Sequence, residues 1–118
     1  MINYHCDLVN ALKTVLPTYY GMTIHSGIDT PCISYIEIDN SDDITGDTIG
    51  YSRLQFQISI WGNNIGQLNS YALEVDKQLR NLGWTRISSG ELFDNESNMI
   101  QNILTYEALA LEEFLKEE

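Results

Sequence analysis

The acidic segment from Asp39 to Asp47 comes closer to a metal-binding motif than any other part of the sequence. An EF-hand calcium loop needs oxygen ligands at positions 1, 3 and 5, a glycine at position 6 and a glutamate at position 12. Counted from Asp39, the last two positions fall on Ile44 and Gly50, and counted from Asp42 the sixth is Asp47. Neither register fits, so the sequence predicts a solvated loop or a loop that contacts a partner.

The other reactive side chains form no pattern typical of catalysis or ligand binding. Asp42 and Asp43 are adjacent in a polar segment, where neither carboxylate gains the burial that acid–base catalysis needs. His5 and His25 stand alone, without a serine, cysteine or acid at a spacing typical of a triad. No glycine-rich phosphate-binding motif is present. We therefore expect no enzyme activity, no cofactor, and no catalytic, cofactor-binding or metal-ligating residue.

Two segments with different periodicities follow each other directly and form the centre of the chain. Residues 51–61 alternate between polar and apolar side chains, which predicts a strand with a buried face made of Leu54, Phe56, Ile58 and Ile60. After Gly62, apolar residues recur at helical spacing, and Gly83 suits the left-handed position just past a helix end. The predicted helical stripe comprises Ile65, Leu68, Ala72, Val75, Leu79 and Leu82.

The remaining elements are expected to complete an α+β fold. In chain order they are a helix capped by Asn3 and ending before Pro17, a turn at residues 18–21, a short strand at 22–25, a loop at 27–31, a strand at 32–38, a polar hairpin loop at 39–50, a strand at 84–93 bent at 88–90, a turn at 94–98, and a last strand from 99 to about 111. The order α-β-β-β-α-β-β predicts a mostly antiparallel sheet with two amphipathic helices packed on one face. Because residues 107–118 are rich in helix formers, a C-terminal helix is the alternative to the last strand.

The opposite face of the long predicted strand is polar, with an aromatic residue at each end. An exposed Trp and Tyr beside polar side chains are typical of a contact surface, although Trp61 could instead fold over the sheet edge into the core. The residues predicted to form an interface are Asp39, Asp42, Asp43 and Asp47 on the loop, and Tyr51, Arg53, Gln55, Gln57 and Trp61 on the strand.

Composition limits the classes of function. A length of 118 residues fits one domain spanning residues 1–118, in which residues 112–118 form an acidic tail. Six basic and seventeen acidic residues give a net charge of −11, which argues against binding a nucleic acid through its phosphates. Cys6 and Cys32 form neither a disulfide framework nor a metal pattern, so we expect two buried or half-buried thiols. With no leader and no long apolar run, the chain is expected to be made and kept in a cytoplasm, without a membrane partner.

The order of elements resembles that of a known family. A strand opened by Pro31 and running to Ile38, an acidic hairpin loop, and a strand from Arg53 to Trp61 that leads straight into an amphipathic helix are arranged as in the tail-completion, or tail-terminator, proteins of long-tailed bacteriophages. The chain is similar to the lambda-type terminator over about residues 3–112. The resemblance rests on the pattern of polar and apolar residues and on the order of the helices and strands, rather than on catalytic residues. The helix-prone residues 107–118 depart from the plain last strand expected of the family.

The resemblance implies a structural role in virion assembly. It implies an α+β subunit of a homo-hexameric ring that caps the completed tail tube and provides the surface for joining the head. The sheet would line or approach a channel, and loops would contact the tail tube protein. DNA would pass through this acidic channel without specific binding. The implied partners are other copies of the chain, the tail tube protein and a head-completion or connector protein, and the implied location is the tail or neck of the virion after assembly in the host cytoplasm.

Two other classes of function stay open on the sequence. One is a related neck component, such as a head-closure or tube protein, which would share a small α+β domain. The other is a small cytoplasmic ligand-binding domain or an unrecognised enzyme, which a metabolite or a divalent metal would stabilise by mass action.

Overall fold

The computed structural model describes residues 4–21, 29–44, 50–94 and 99–111. Its elements are α1 (Tyr4–Lys13), β1 (Thr18–Tyr20), β2 (Cys32–Ile44), β3 (Gly50–Gly62), α2 (Ile65–Asn81), β4 (Thr85–Asp94) and β5 (Met99–Leu111). The predicted order α-β-β-β-α-β-β and the α+β class are confirmed. The predicted Asn3 cap, the strand at 22–25, residues 95–98 of the turn predicted at 94–98, and the tail at 112–118 lie outside the described residues, and Asp94 belongs to β4.

The five strands form one mixed sheet in the order β1-β2-β3-β5-β4. β2 is antiparallel to β3, β3 to β5 and β5 to β4, and only the short β1 is parallel to its neighbour β2. Strands β2, β3 and β5 have 13 residues each, which corresponds to about 43 Å, whereas the 17 residues of α2 span about 25 Å. The sheet therefore extends further than the helix that packs on it.

One face of the sheet and both helices enclose the hydrophobic core. Leu54, Phe56, Ile58 and Ile60 are all buried, as the alternation in β3 predicts. They form one cluster with residues from both helices and from β2 and β5, namely Leu8, Leu12, Leu68, Val75, Leu79, Ile33, Tyr35, Leu104 and Tyr106. The prediction that both helices cover the same face is therefore confirmed. At the two ends of the predicted α2 stripe, Ile65 and Leu82 are half-exposed because the helix passes beyond the core there.

The turn from β3 into α2 depends on small and capping residues. A Cβ atom added to Gly62 would lie 2.9 Å from Leu68 Cδ2, so any larger residue there would push the buried Leu68 side chain aside. The side chain of Asn64 accepts a hydrogen bond from the backbone N–H of Gln67 at 3.1 Å, which caps the helix. At the other end Gly83 has a φ of 94°, which confirms the predicted left-handed position.

Three predicted boundaries are wrong. Residues 18–20 form β1 rather than a turn, since they pair with Ile33, Ser34 and Tyr35 of β2. The hairpin loop predicted from Asp39 to Gly50 is shorter, because β2 continues to Ile44 and pairs with β3 as far as Gly50. The irregularity in β4 falls between Arg86 and Ser88 rather than at residues 88–90. In β5, the strand alternative through Leu111 is confirmed over the helical one.

Candidate functional site

Polar side chains of β3 and β5 are linked to each other on the sheet face that the helices leave uncovered. Arg53 Nε lies 3.2 Å from Glu107 Oε1, and Gln55 Nε2 donates a hydrogen bond to the same oxygen at 3.2 Å. Gln55 and Gln57 are half-buried, and the Arg53 side chain is 44% exposed. The polar side chains predicted for this face of β3 are therefore present, and Arg53 and Gln55 are held in place by Glu107. Glu107 was not among the residues predicted from the sequence.

Toward the end of β3 that leads into α2, the side chains on the same face are buried. Trp61 is 5% exposed, and its indole N–H donates a hydrogen bond to Ser34 Oγ at 2.9 Å. Ser59 is also buried and accepts a hydrogen bond from Gln101 Nε2 at 2.8 Å. The expectation of an exposed Trp61 in the contact surface is wrong, because a partner for its N–H in β2 lets the whole indole be buried.

The acidic residues that we predicted on a loop are distributed differently. Asp39, Asp42 and Asp43 belong to β2, where they pair in register with Gln55, Ser52 and Tyr51 of β3. Asp47 lies outside the described residues. By register, Asp39 and Asp43 lie in the same rows of the sheet as Gln55 and Tyr51, so the backbone brings part of the acidic set next to the polar face. Their role in an interface stays a prediction.

A second polar cluster joins α2 to the sheet. Asp76 accepts a hydrogen bond from the Tyr106 hydroxyl at 2.8 Å and one from Arg80 Nε at 2.7 Å, and Arg86 Nη1 lies 3.9 Å from it. Partial burial acts to raise the pKa of Asp76, but the bonds from Arg80 and Tyr106 and the charges of both arginines outweigh it and lower the pKa. Burial and the Asp76 carboxylate raise the pKa of the Tyr106 hydroxyl.

Sequence reasoning missed this cluster, although one signal was available. Asp76 and Arg80 are four residues apart, the spacing at which side chains of opposite charge meet on a helix. The contribution of Tyr106 and Arg86 depends on how α2 crosses the sheet, which local spacing does not determine. The cluster fixes the position of α2 and leaves the Arg86 side chain, which is 37% exposed, at the flank of the molecule.

A cavity of about 440 Å³ lies beside this cluster, between α2 and the last two strands. Its lining combines an apolar side with polar groups from three elements, namely Asn69, Ala72, Leu73, Arg86, Ser89, Gly90, Glu91, Asn102 and Leu104. Leu73 is 73% exposed at its rim. Mixed lining of this kind suits an amphipathic side chain or a peptide segment.

Neither the cysteines nor the acidic residues form a reactive centre in the described part of the chain. Cys6 is exposed on α1, contrary to the expected partial burial, whereas Cys32 is buried and burial raises the pKa of its thiol. Over residues 4–21, 29–44, 50–94 and 99–111, no group of three His, Cys, Asp or Glu residues is placed to hold a metal ion. None of the helices in these ranges is both long and apolar enough to span a membrane.

Comparison with known proteins identifies the fold. The sequence matches no protein family and no curated protein. The structure is similar to a chain in the virion of a native gene transfer agent particle, with a TM-score of 0.55 and 14% sequence identity. The similarity covers 93% of this chain and 86% of that chain. At this level of identity the two proteins share a fold, and the fold extends over nearly the whole length of both.

Proposed function

We propose that this protein is a structural component of a phage-type virion that forms a ring at the end of the tail tube. In this role it caps the completed tube and provides the surface on which the head joins. The observation that carries the proposal is the fold shared with a chain of the gene transfer agent virion, a phage-like particle, over 93% of the sequence. The order of elements that resembles the tail-terminator family supports the same role.

The distribution of polar groups supports a role in contact rather than chemistry. The Arg53, Gln55 and Glu107 side chains are fixed to each other on an open sheet face, which preorganises a polar surface for another protein. The net charge of −11 suits the wall of a channel, because a like-charged wall lets DNA pass without holding it. We propose that Arg53, Gln55 and Gln57 contact a neighbouring virion protein, together with Asp39, Asp42 and Asp43 of β2 and, beyond the described residues, Asp47.

The proposal is tested by mixing the purified protein with purified tail tubes and measuring co-sedimentation and stoichiometry. A cap should bring a small fixed number of copies to each tube, about six for a closed ring, whatever the tube length. Copies that bind in proportion to tube length would point to a tube protein instead. A protein that stays in the supernatant and binds isolated heads would point to a head-closure component, and one that binds neither would contradict a virion role.

A further inference from the structure

The two edges of the sheet are both exposed, and they belong to strands of opposite direction. β1 forms one edge and β4 the other, and each pairs with one neighbour only among the described residues. Because β1 runs with β2 while β3, β5 and β4 alternate, β1 and β4 run antiparallel to each other. Consider a second copy beside the first, related to it by a rotation about an axis parallel to the strands. This rotation keeps the strand directions, so β4 of the second copy would lie antiparallel to β1 of the first. The sheet could then continue from copy to copy.

The strand register shows which residues would meet at such a junction. Tyr20, Tyr35, Ile58, Leu104 and Ser89 form one row across all five strands. Tyr20 therefore lies at one end of this row and Ser89, which lines the cavity beside α2, lies at the other. Both ends are on the helix-covered face, since Tyr35, Ile58 and Leu104 between them are core residues. Neighbouring copies in a closed ring have the same position along the ring axis. The row of one copy would therefore continue into the row of the next, and Tyr20 of one copy would approach Ser89 of the next.

The size, exposure and orientation of the Tyr20 side chain suit insertion into that cavity. Its side chain is 67% exposed, yet its ring packs edge-on against Tyr35 with the ring centroids 5.3 Å apart. The cavity of about 440 Å³ has room for a phenol ring between Leu73 and Leu104, and its polar lining provides partners for a hydroxyl group. A ring that is already oriented loses little side-chain entropy on binding.

A second row supports the same junction by charge. Glu37, Phe56, Tyr106 and Arg86 are aligned across β2, β3, β5 and β4, and both end residues are exposed. The same lateral placement that brings Tyr20 to Ser89 brings Glu37 of one copy toward Arg86 of the next.

We propose that copies of this chain associate head to tail through these flanks, with Tyr20 of one copy inserted in the cavity between α2 and β4 of the next and Glu37 facing Arg86. This inference rests on the proposed ring and specifies its interface. It explains why β4 can keep Ile87, Leu92 and Phe93 half-exposed on an open edge in an isolated copy.

Disulfide crosslinking in the assembled ring tests the junction. In a Cys6→Ser background, Tyr20→Cys and Ser89→Cys are introduced together, and the protein is oxidised with tail tubes present. Within one copy the two positions are four strand spacings apart, about 19 Å, so no internal disulfide can form. We expect a ladder of covalently linked copies on a non-reducing gel. The matched control pairs Tyr20→Cys with Leu92→Cys, three residues further along β4, and should give no ladder.

A second variant tests the cavity without cysteines. Ser89→Trp fills the cavity from an exposed position, so it should leave the melting temperature unchanged and abolish ring formation. Ser70→Trp, at an exposed position of α2 outside the cavity lining, should still form rings. If the unmodified protein forms rings but neither the ladder nor the Ser89→Trp defect appears, the interface is wrong while the proposed function stands. If the unmodified protein forms no ring alone or on tubes, both are overturned.

Discussion

The Tyr106 hydroxyl on β5 donates a hydrogen bond to the Asp76 carboxylate on α2 at 2.8 Å. This contact joins the helix layer to the sheet through a residue that is otherwise part of the hydrophobic core, since Tyr106 is fully buried. The same carboxylate binds Arg80 and lies near Arg86. Asp76 therefore adds a polar link between α2 and the sheet to the packing of Leu68, Val75 and Leu79, next to the cavity beside β4.

Replacing Tyr106 with phenylalanine should destabilise the protein by about 1–2 kcal/mol. The change removes a hydrogen bond to a charged group while keeping the buried ring. It should also move the pKa of Asp76 back toward its ordinary value, because one of the donors that lower it is lost. Chemical denaturation measures the first effect and NMR titration the second. Tyr19→Phe, at a partly exposed ring, is the control and should change neither quantity.

Stability should fall in acid partly through Asp76. Its pKa is lowered in the folded protein, so the folded state binds a proton less readily than the unfolded chain. The stabilisation is fully present above the unfolded pKa of about 4 and is lost as the pH falls through the folded value. The difference in unfolding free energy between the unmodified protein and Asp76→Asn should therefore be constant near neutral pH and shrink below about pH 4. A difference that stays constant down to pH 2 would contradict the ion-pair account, and Asp7→Asn, at an exposed position of α1, is the control.

The Trp61–Ser34 hydrogen bond should contribute measurably to stability. Trp61→Phe leaves the buried Ser34 hydroxyl without its indole donor and reduces the packed volume, so we expect a loss of about 2–3 kcal/mol. Ser34→Ala removes the same bond at smaller cost, about 1 kcal/mol. A double-mutant cycle by urea denaturation should give a coupling energy near 1 kcal/mol. A coupling energy of zero would show that the bond adds nothing to the packing of the indole.

A charge at Phe56 should prevent folding, whereas the same charge at the next residue should be tolerated. Phe56 is 1% exposed between Tyr35 and Trp84, with ring centroids 6.3 Å and 5.5 Å away, so Phe56→Asp buries an unpaired carboxylate. Gln57→Asp lies on the opposite face of β3 and is the matched control. Circular dichroism and solubility distinguish the two. A folded, soluble Phe56→Asp protein would mean that the two faces of β3 are assigned the wrong way round.

Side-chain periodicity predicts the helices and strands that bury one face. It fails for a polar strand that is stabilised by pairing with a neighbouring strand. Leu54 to Ile60 and the α2 stripe have strong periods, and their elements and faces are found as expected. Asp39–Asp43 has low strand propensity but pairs along its whole length with β3, so the tertiary ladder overrides the local preference. Residues 18–20 are Thr, Tyr and Tyr, which favour strands, and the parallel edge of β2 provides their pairing partner.

The candidate site is likewise predictable only where its residues follow a local pattern in the sequence. The polar alternation of Arg53, Gln55 and Gln57 is local, so it can be found in the sequence alone. Trp61 is buried because Ser34, 27 residues away, accepts its N–H, and such a contact has no local signal. The alignment of Tyr20 with Ser89 and of Glu37 with Arg86 needs the strand order and the register, which the sequence does not specify by periodicity.

The polar face should matter for assembly far more than for stability. Arg53 and Glu107 are partly exposed, so their ion pair contributes at most about 1 kcal/mol to folding. The triple change Arg53→Ala, Gln55→Ala and Gln57→Ala should therefore leave a folded protein that binds tail tubes at least about tenfold more weakly, because it removes a preorganised polar surface. Binding is measured by co-sedimentation. The control Gln67→Ala with Asn81→Ala, on exposed positions of α2, should bind normally, and equal binding by the triple variant would assign the contact to another surface.

Electron microscopy of gold-labelled protein on tail tubes tests the central claim most directly. The account predicts a ring at one end only of each full-length tube, with label absent from the tube wall and from the opposite end. Label along the wall, at both ends alike, or on no tube at all would contradict a tail-capping ring.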